Sequence, residues 1–449
     1  MAKHRIRVGA GSGFSDDRFE PALELARHGD IDYLVFECLA ERTIARETLA
    51  RLKNPQAGYT PYLVDRMRLV LPECLRRGIR IVTNMGAANP VAAARAIRAE
   101  ALELGLAAPG VAAVIGDDVT EIIRANPQLR LLDNGEPVES LLPRLAAANA
   151  YLGADVINEA LCRNAQVVVT GRVADPSLFL GCMLHGLGWS YDDYPRLAAG
   201  TFAGHLLECA AQLTGGCFAD LPRKFVPDMA RIGFPYADVD AAGNVSFGKV
   251  DGSGGRLDVA TCTEQALYEM HDPANYITPD CVLDITQAEF RQAGNDRVDM
   301  HGAQARARTP TYKVVVGYHD GWIGEGEVGY AGPNALGRAR MSEQIVRERL
   351  ALRSYSYPEI RVDYIGVSSL HGDLPGRPEP YEVRLRVAAR TADRKAAEAV
   401  GFEVRTLNVN GPAGGGGGTQ SVRQVIGVRS LLLPREYVRP EIIMEGAPA

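Results

Sequence analysis

A chain of 449 residues, 46% apolar and 23% charged, has the composition of a soluble globular protein of two or three domains. Its net charge of −6, with no long basic run, excludes nucleic acid as the main partner, because phosphate binding needs clustered Lys and Arg. No stretch approaches the roughly 18 to 20 apolar residues of a membrane span, and MAKHRIRVGAGSGFSDD at the start carries no apolar segment of signal-peptide length, so a cytoplasmic protein with no membrane partner is expected.

Five Val- and Ile-rich runs come first: IRVG at 6–9, DYLVFE at 32–37, IRIVTN at 79–84, VAAVIG at 111–116 and QVVVTG at 166–171. They do not alternate with polar residues, which is the pattern of strands covered on both faces of a parallel sheet. Helix-like stretches such as DDRFEPALELARHG and NPVAAARAIRAEALELG separate them. The second has Asn89 as N-cap, Pro90 at the first helical position and Gly105 as stop. The expected fold class is α/β, with an N-terminal parallel sheet flanked by helices.

Ligands of such sheets bind beyond the carboxyl ends of the strands. The residues there are Gly9 to Asp16, including Gly11 and Gly13; then Glu37, Cys38 and Glu41; then Asn84, Gly86 and Asn89; then Asp117 and Asp118; then Gly171, Arg172 and Asp175. Gly9 to Gly13 does not complete GxGxxG, because Phe14 stands at the third glycine position, so a plain turn or an anion at a following helix N-terminus fits better than a dinucleotide. Asp117 and Asp118 suit a divalent cation or a helix cap. Arg172 with Asp175 suits a structural ion pair or a fork for a substrate carboxylate or phosphate.

In FAGHLLECAAQLTGGCFAD, 202–220, His205, Glu208 and Cys209 share one helix face, as a base with its orienter or as packing; Thr214-Gly215-Gly216 ends that helix. A β-hairpin, a loop and a helix follow from about 231. HDPANYITPD, 271–280, gathers His271, Asp272, Tyr276 and Asp280 in a loop suited to a site or to turns. The stretch around Lys313 reads as a strand pair, a glycine-rich turn and a long helix. The last hundred residues read β, β, α, β, an antiparallel α+β domain, with GPAGGGGGTQSV at 411–422 after its last strand. Gly415, Gly416 and Gly417 there are expected in a loop against a ligand or another backbone, with a tight crossing and a hinge as alternatives. The expected divisions are 1–225 (α/β with the strand-end site), 226–345 (a mixed α/β continuation) and 346–449 (the small α+β domain). Eight cysteines without a CxxC pair are expected to be mostly buried thiols.

The stretches DYLVFECLAERTIA, VTNMGAANP, VIGDD, VVVTGRVADPSLFL, GHLLECAAQLTGG, YEMHDPANYITPD, GYAGPNALGRARM and GPAGGGGG together resemble the acyclic terpene utilisation (AtuA) family, over nearly the whole chain. The resemblance implies a place in bacterial breakdown of citronellol- and geraniol-type terpenes through acyl-CoA intermediates. It implies no particular set of catalytic residues. The family often carries two glycines where this chain has Ala87 and Ala88.

The expectation is a hydratase- or dehydratase-type lyase acting on a carboxylate or acyl-CoA. Glu37, His205 and Glu208 are the acid and base candidates, and Arg172 with Asp175 the carboxylate holder. Asn84, Asp117, Asp118, Gly171 and the two glycine-rich backbones are the candidate ligand contacts. No metal site and no cofactor are assigned; a CoA thioester would enter as part of the substrate. The expected partners are a small-molecule substrate and further copies of the chain or a partner subunit. Two other classes stand beside this one: a non-catalytic acyl-CoA-binding or scaffolding subunit, and a metal-dependent hydrolase using Asp117, Asp118 and histidines.

Overall fold

The five apolar runs fold as strands β1 (Arg5–Ser12), β2 (Tyr33–Phe36), β3 (Arg80–Thr83), β4 (Val111–Ile115) and, after an intervening β5 (Leu145–Ala150), β6 (Val167–Thr170). β1, β2, β3, β6 and β4 lie side by side in that order, all parallel. Their side chains are buried on both faces, which is why the runs carry no polar alternation. β7 (Pro235–Asp240) and β8 (Val245–Lys249) form the expected hairpin and add antiparallel to β1. Strands Arg297–His301 and Glu289–Gly294 extend that edge, and Glu441–Glu445 covers the edge at β4, so ten strands make one mixed sheet.

This computed structural model describes residues 2–372 and 378–446. The chain divides into two compact units, Met1–Gly317 with Val428–Ala449, and Tyr318–Gly427. Both division points lie within long strands, Thr311–Ala331 and Gly416–Pro434. Positions 225 and 345, where the sequence suggested divisions, fall inside the first unit and inside the helix Ala335–Ala351 of the second. Among the described residues, no helix is long and apolar enough to cross a membrane. Cys38, Cys74, Cys182, Cys262 and Cys281 are buried, whereas Cys162 and Cys217 are exposed.

Asn89 caps the helix Pro90–Glu103 as expected, accepting a hydrogen bond from the Ala92 N–H at 3.3 Å, and Gly105 beyond it turns left-handed at φ +70°. Just before that cap, the buried Ala87 sits at φ +45°. A left-handed backbone costs an L-residue about 1–2 kcal/mol, and the extra chain entropy of glycine offsets part of that. Ala87→Gly is therefore expected to raise stability by about 0.5–1 kcal/mol. A lower urea midpoint in the variant would show that packing of the Ala87 methyl outweighs the strain.

In the second unit the strand order is Glu359–Ile365, Glu382–Thr391, Thr311–Ala331, Gly416–Pro434. Helices Ala335–Ala351 and Arg394–Asn410 belong to its core, where Val328, Tyr330, Leu385, Val387, Val404 and Leu407 are buried together. Charged side chains pair across the strands, as Arg386 does with Glu325 and Asp363, and Arg384 with Glu327.

Three sequence expectations change. The stretch around Lys313 is one strand of 21 residues, not a strand pair, and it runs through a turn at Gly332 into the expected long helix, Ala335–Ala351. Its glycines serve close packing: a Cβ on Gly324 would lie 1.8 Å from the Ala397 carbonyl oxygen. The segment up to Asn410 is helix throughout, because Val400, Val404 and Leu407 recur at helical spacing and are all buried, whatever strand propensity its Val and Thr carry. The five-glycine run is not a loop after the last strand. Gly416 opens the strand Gly416–Pro434, and only Gly414 and Gly417 need glycine for their backbone, at φ +74° and +65°.

Candidate active site

Where β2 ends, the chain bends at Glu37, which is only 8% exposed. Its Oε1 accepts from the Leu39 N–H at 2.7 Å and from Asn84 Nδ2 at 3.0 Å; Asn84 Oδ1 in turn accepts from the Cys38 N–H at 2.8 Å. Asn84, at the end of β3, thus fixes the loop after β2. Ser12, the last residue of β1, donates from Oγ to the Glu37 carbonyl at 2.8 Å. Burial pushes the Glu37 carboxyl up to about 8, with the nearby Asp175 charge adding to it; Arg172 and the two hydrogen bonds offset this in part.

Arg172 follows β6 and is 1% exposed. Its Nε and Nη2 donate to the Val173 carbonyl at 2.9 and 2.6 Å, Nη1 donates to the Leu39 carbonyl, and Nη2 pairs with Asp175. The guanidinium lies 4.6 Å from the centre of the Tyr151 ring. It is a fixed anchor tying the loops after β2 and β6 together, not an open fork for a substrate carboxylate. Asp117, after β4, supports the same turn from below. It accepts from the Arg172 N–H at 2.9 Å and from Asn149 Nδ2 at 3.0 Å, and burial raises its carboxyl to about 6. Gly171 has no room for a side chain, since a Cβ would lie 2.5 Å from Asp117 Oδ1.

Above this layer opens a cavity of about 630 Å³, with Glu41, Tyr151, Asp175, Glu269, Tyr276 and Lys313 in its wall. Asp175 opens the helix Asp175–Leu187 and keeps 36% of its side chain exposed. Lying deep among other carboxylates raises its pKa, although Arg172 pulls it down. The Tyr151 hydroxyl donates to Glu41 Oε1 at 2.6 Å, and Lys313 Nζ is 3.6 Å from the same oxygen. Burial opposes charge on Glu41, but Tyr151, Arg172 and Lys313 hold it below the ordinary value, so it is ionised at neutral pH.

His205 and Glu208 do share a face, with Nδ1 and Oε1 3.1 Å apart at the end of the helix Tyr194–Leu207. That helix stops before Thr214-Gly215-Gly216, and a short 3-10 turn, Ala210–Gln212, takes over. His205 is fully buried. Its other nitrogen, Nε2, lies 3.3 Å from the Ala266 carbonyl, so neither nitrogen is free for a substrate. The ring packs 5.3 Å from that of Tyr276, which does reach the cavity. Burial pushes Glu208 up to about 7; its charge and hydrogen bond raise His205 against the opposing effect of burial. Glu208 Oε2 is buried without a partner.

The remaining sequence candidates lie elsewhere. Gly11 is inside β1, where a Cβ would stand 2.7 Å from the Phe36 ring, and Gly13 lies against the Cys209 backbone, 2.6 Å from such a Cβ. The helix after them begins only at Glu20, so of the two readings of this glycine stretch the plain turn is the one that fits. Asp118 accepts from Thr120 N and Oγ1 at 3.1 and 2.7 Å and borders a separate hollow of about 470 Å³ with Arg51. Among the described residues, no three His, Cys, Asp or Glu side chains converge to hold a metal. Gly415, Gly416 and Gly417 belong to the second unit.

Tyr151 and Glu269 escaped the sequence reading. Tyr151 follows the alanine-rich β5, which carries no Val or Ile signal. Glu269 takes a left-handed backbone, φ +55°, uncommon for a residue with a side chain and concentrated at functional sites.

Raised carboxyls have a consequence for stability. Glu37 holds its proton in the folded state up to about pH 8, against an ordinary value of 4.5. A group with a raised folded pKa contributes stability that is present at low pH and lost as pH rises through that folded value. Between about pH 5 and 8 the wild type is expected to lose a few kcal/mol relative to Glu37→Gln. Urea unfolding of both proteins at the two pH values checks this; parallel pH dependence would contradict it.

The chain belongs to the family described as acyclic terpene utilisation family protein AtuA, which matches residues 6–444. A comparison with curated proteins finds no match.

Proposed function

We propose that this member of the family is a lyase that adds or removes water across a double bond α,β to a carbonyl, in breakdown of branched or terpenoid acids or their acyl thioesters. The observation that carries the reading is Asp175: a carboxyl of raised pKa, oriented by a buried arginine, in the wall of a cavity at the carboxyl ends of parallel strands.

The chemistry needs a base for the α-proton and a positive group for the enolate oxygen. Asp175 takes the proton. Negative charge then builds on the carbonyl oxygen, facing the Lys313 ammonium. The β-hydroxyl leaves as water when the protonated Asp175 returns the proton to it, so one carboxyl serves both halves and the balance closes. Glu37 and the His205–Glu208 pair, beneath the wall, hold protons near neutrality and keep the surroundings of Asp175 from accumulating charge. Arg172 positions Asp175.

The test is direct. Purified protein is incubated with branched enoyl thioesters and the matching unsaturated acids, and products are read by mass. Gain of one water by one acyl class, lost in Asp175→Asn, is the expected result. No mass change with any compound, but retention of one of them in native mass spectrometry, would favour a non-catalytic binding subunit instead.

A further inference from the structure

We infer that the cavity accepts an uncharged carbonyl group and rejects a free carboxylate, so that the substrate enters as an ester, thioester or amide of its acid. This rests on the reading above that the cavity is the site of the reaction.

The inference comes from the charges that line the cavity and the partners that hold them. Four carboxylates, Glu41, Asp175, Glu269 and Asp272, stand in its wall, against two basic side chains, His271 and Lys313. Lys313 is already answered: its ammonium is 3.6 Å from Glu41 and 4.8 Å from the centre of the Tyr151 ring. Glu41 is held ionised. Four arginines around it are committed as well. Arg172 gives its guanidinium to Leu39, Val173 and Asp175. Arg435 donates to the carbonyls of Thr309 at 2.8 Å and Pro279 at 2.5 Å, with its guanidinium 4.1 Å from the Tyr312 ring centre. Arg306 donates to the Ala274 carbonyl at 3.2 Å and to the Asn275 side chain. Arg308 faces Asp155 at 3.7 Å.

Glu41 and Asp175 are paired in turn with Lys313 and Arg172, so a substrate carboxylate would meet the carboxylates of Glu269 and Asp272, and no arginine stands among the described residues of the wall. Like charges a few ångströms apart in a cleft repel strongly enough to cost one or more factors of ten in affinity. A neutral carbonyl avoids this. It can still accept from Lys313, and its chain can lie on Pro176, Ile277, Pro279 and Leu432, the apolar part of the wall.

The experiment compares one branched, unsaturated acyl chain in two forms, the free acid and its uncharged N-acetylcysteamine thioester. Binding is measured by calorimetry at neutral pH, in low and in high salt. The thioester is expected to bind at least about tenfold tighter. The gap should narrow in high salt, which screens charge, and in the double variant Glu269→Gln/Asp272→Asn. Equal or tighter binding of the acid would overturn the inference, as would binding of neither form. So would selective loss of acid binding in Lys313→Met, which would make Lys313 a carboxylate clamp. Because binding is read apart from turnover, the two claims fail separately. Selective thioester binding without any reaction leaves the inference standing and removes the lyase reading; hydration of the free acid does the reverse.

Discussion

Arg172→Met is expected to lower unfolding stability by about 2–4 kcal/mol, below the full range for a buried ion pair because the partner Asp175 is partly exposed. The substitution keeps much of the side-chain volume but withdraws every hydrogen bond of the guanidinium. The Leu39 and Val173 carbonyls and Asp175 would be left without their donor, and Tyr151 without the cation over its ring. Lysine is not a substitute, because a single ammonium cannot reach two loops and a carboxylate at once. Arg172→Lys should therefore recover less than half of the loss. Urea denaturation of the three proteins decides it. A loss below about 1 kcal/mol for the methionine variant would mean that the loops after β2 and β6 are held by something else. In Arg172→Met/Asp175→Asn the double loss should be smaller than the sum, since the orphaned charge is gone.

Asp175→Asn is expected to reduce turnover about 10³-fold while leaving the fold intact. Asparagine has nearly the same shape, and its side-chain oxygen still accepts from Arg172; what it cannot do is take a proton. Glu37→Gln should cost much less, because Glu37 is buried beneath the wall and does not line the cavity. The pH profile separates the roles. As a base Asp175 must be ionised, so activity should rise with pH through its folded pKa, which burial places above the usual carboxylate range. Glu37 keeps its proton up to about pH 8 and is neutral while Asp175 titrates, so Glu37→Gln should leave the profile in place. Asp175→Asn retaining more than about a tenth of wild-type turnover would remove Asp175 from the chemistry.

Much of this was legible in the sequence, and the reasons are local. Buried parallel strands have no wet face, so IRIVTN and QVVVTG announce themselves by unbroken apolar character. The strand-end rule then reached Glu37, Arg172 and Asp175, because it depends only on where strands stop. β5 stayed hidden because LAAANA has neither branched side chains nor alternation; it is a strand because it pairs with the strand beginning at Thr311. Gly11 and Gly13 read as a plain turn or an anion turn before a helix, yet their constraint is steric and comes from Phe36 and Cys209, which only the fold brings near. For Arg172 the sequence left an ion pair with Asp175 and a carboxylate fork both open, because nothing local reveals that the Leu39 carbonyl lies within its reach. Tyr151 and Glu269 join the cavity from a loop after β5 and from a left-handed turn after the helix Val259–Leu267, positions set by packing and not by any periodic pattern.

The central claim is that Asp175 moves a proton on a bound acyl chain. The most direct measurement is hydrogen exchange at the carbon next to the carbonyl, followed by mass spectrometry in heavy water, with a saturated branched acyl thioester that cannot lose water. Wild-type protein should incorporate one or two deuterons at that carbon, and Asp175→Asn, shown to be folded, should incorporate none above the uncatalysed rate. Equal incorporation by both proteins, or none by the wild type with a thioester that it demonstrably binds, would contradict the account.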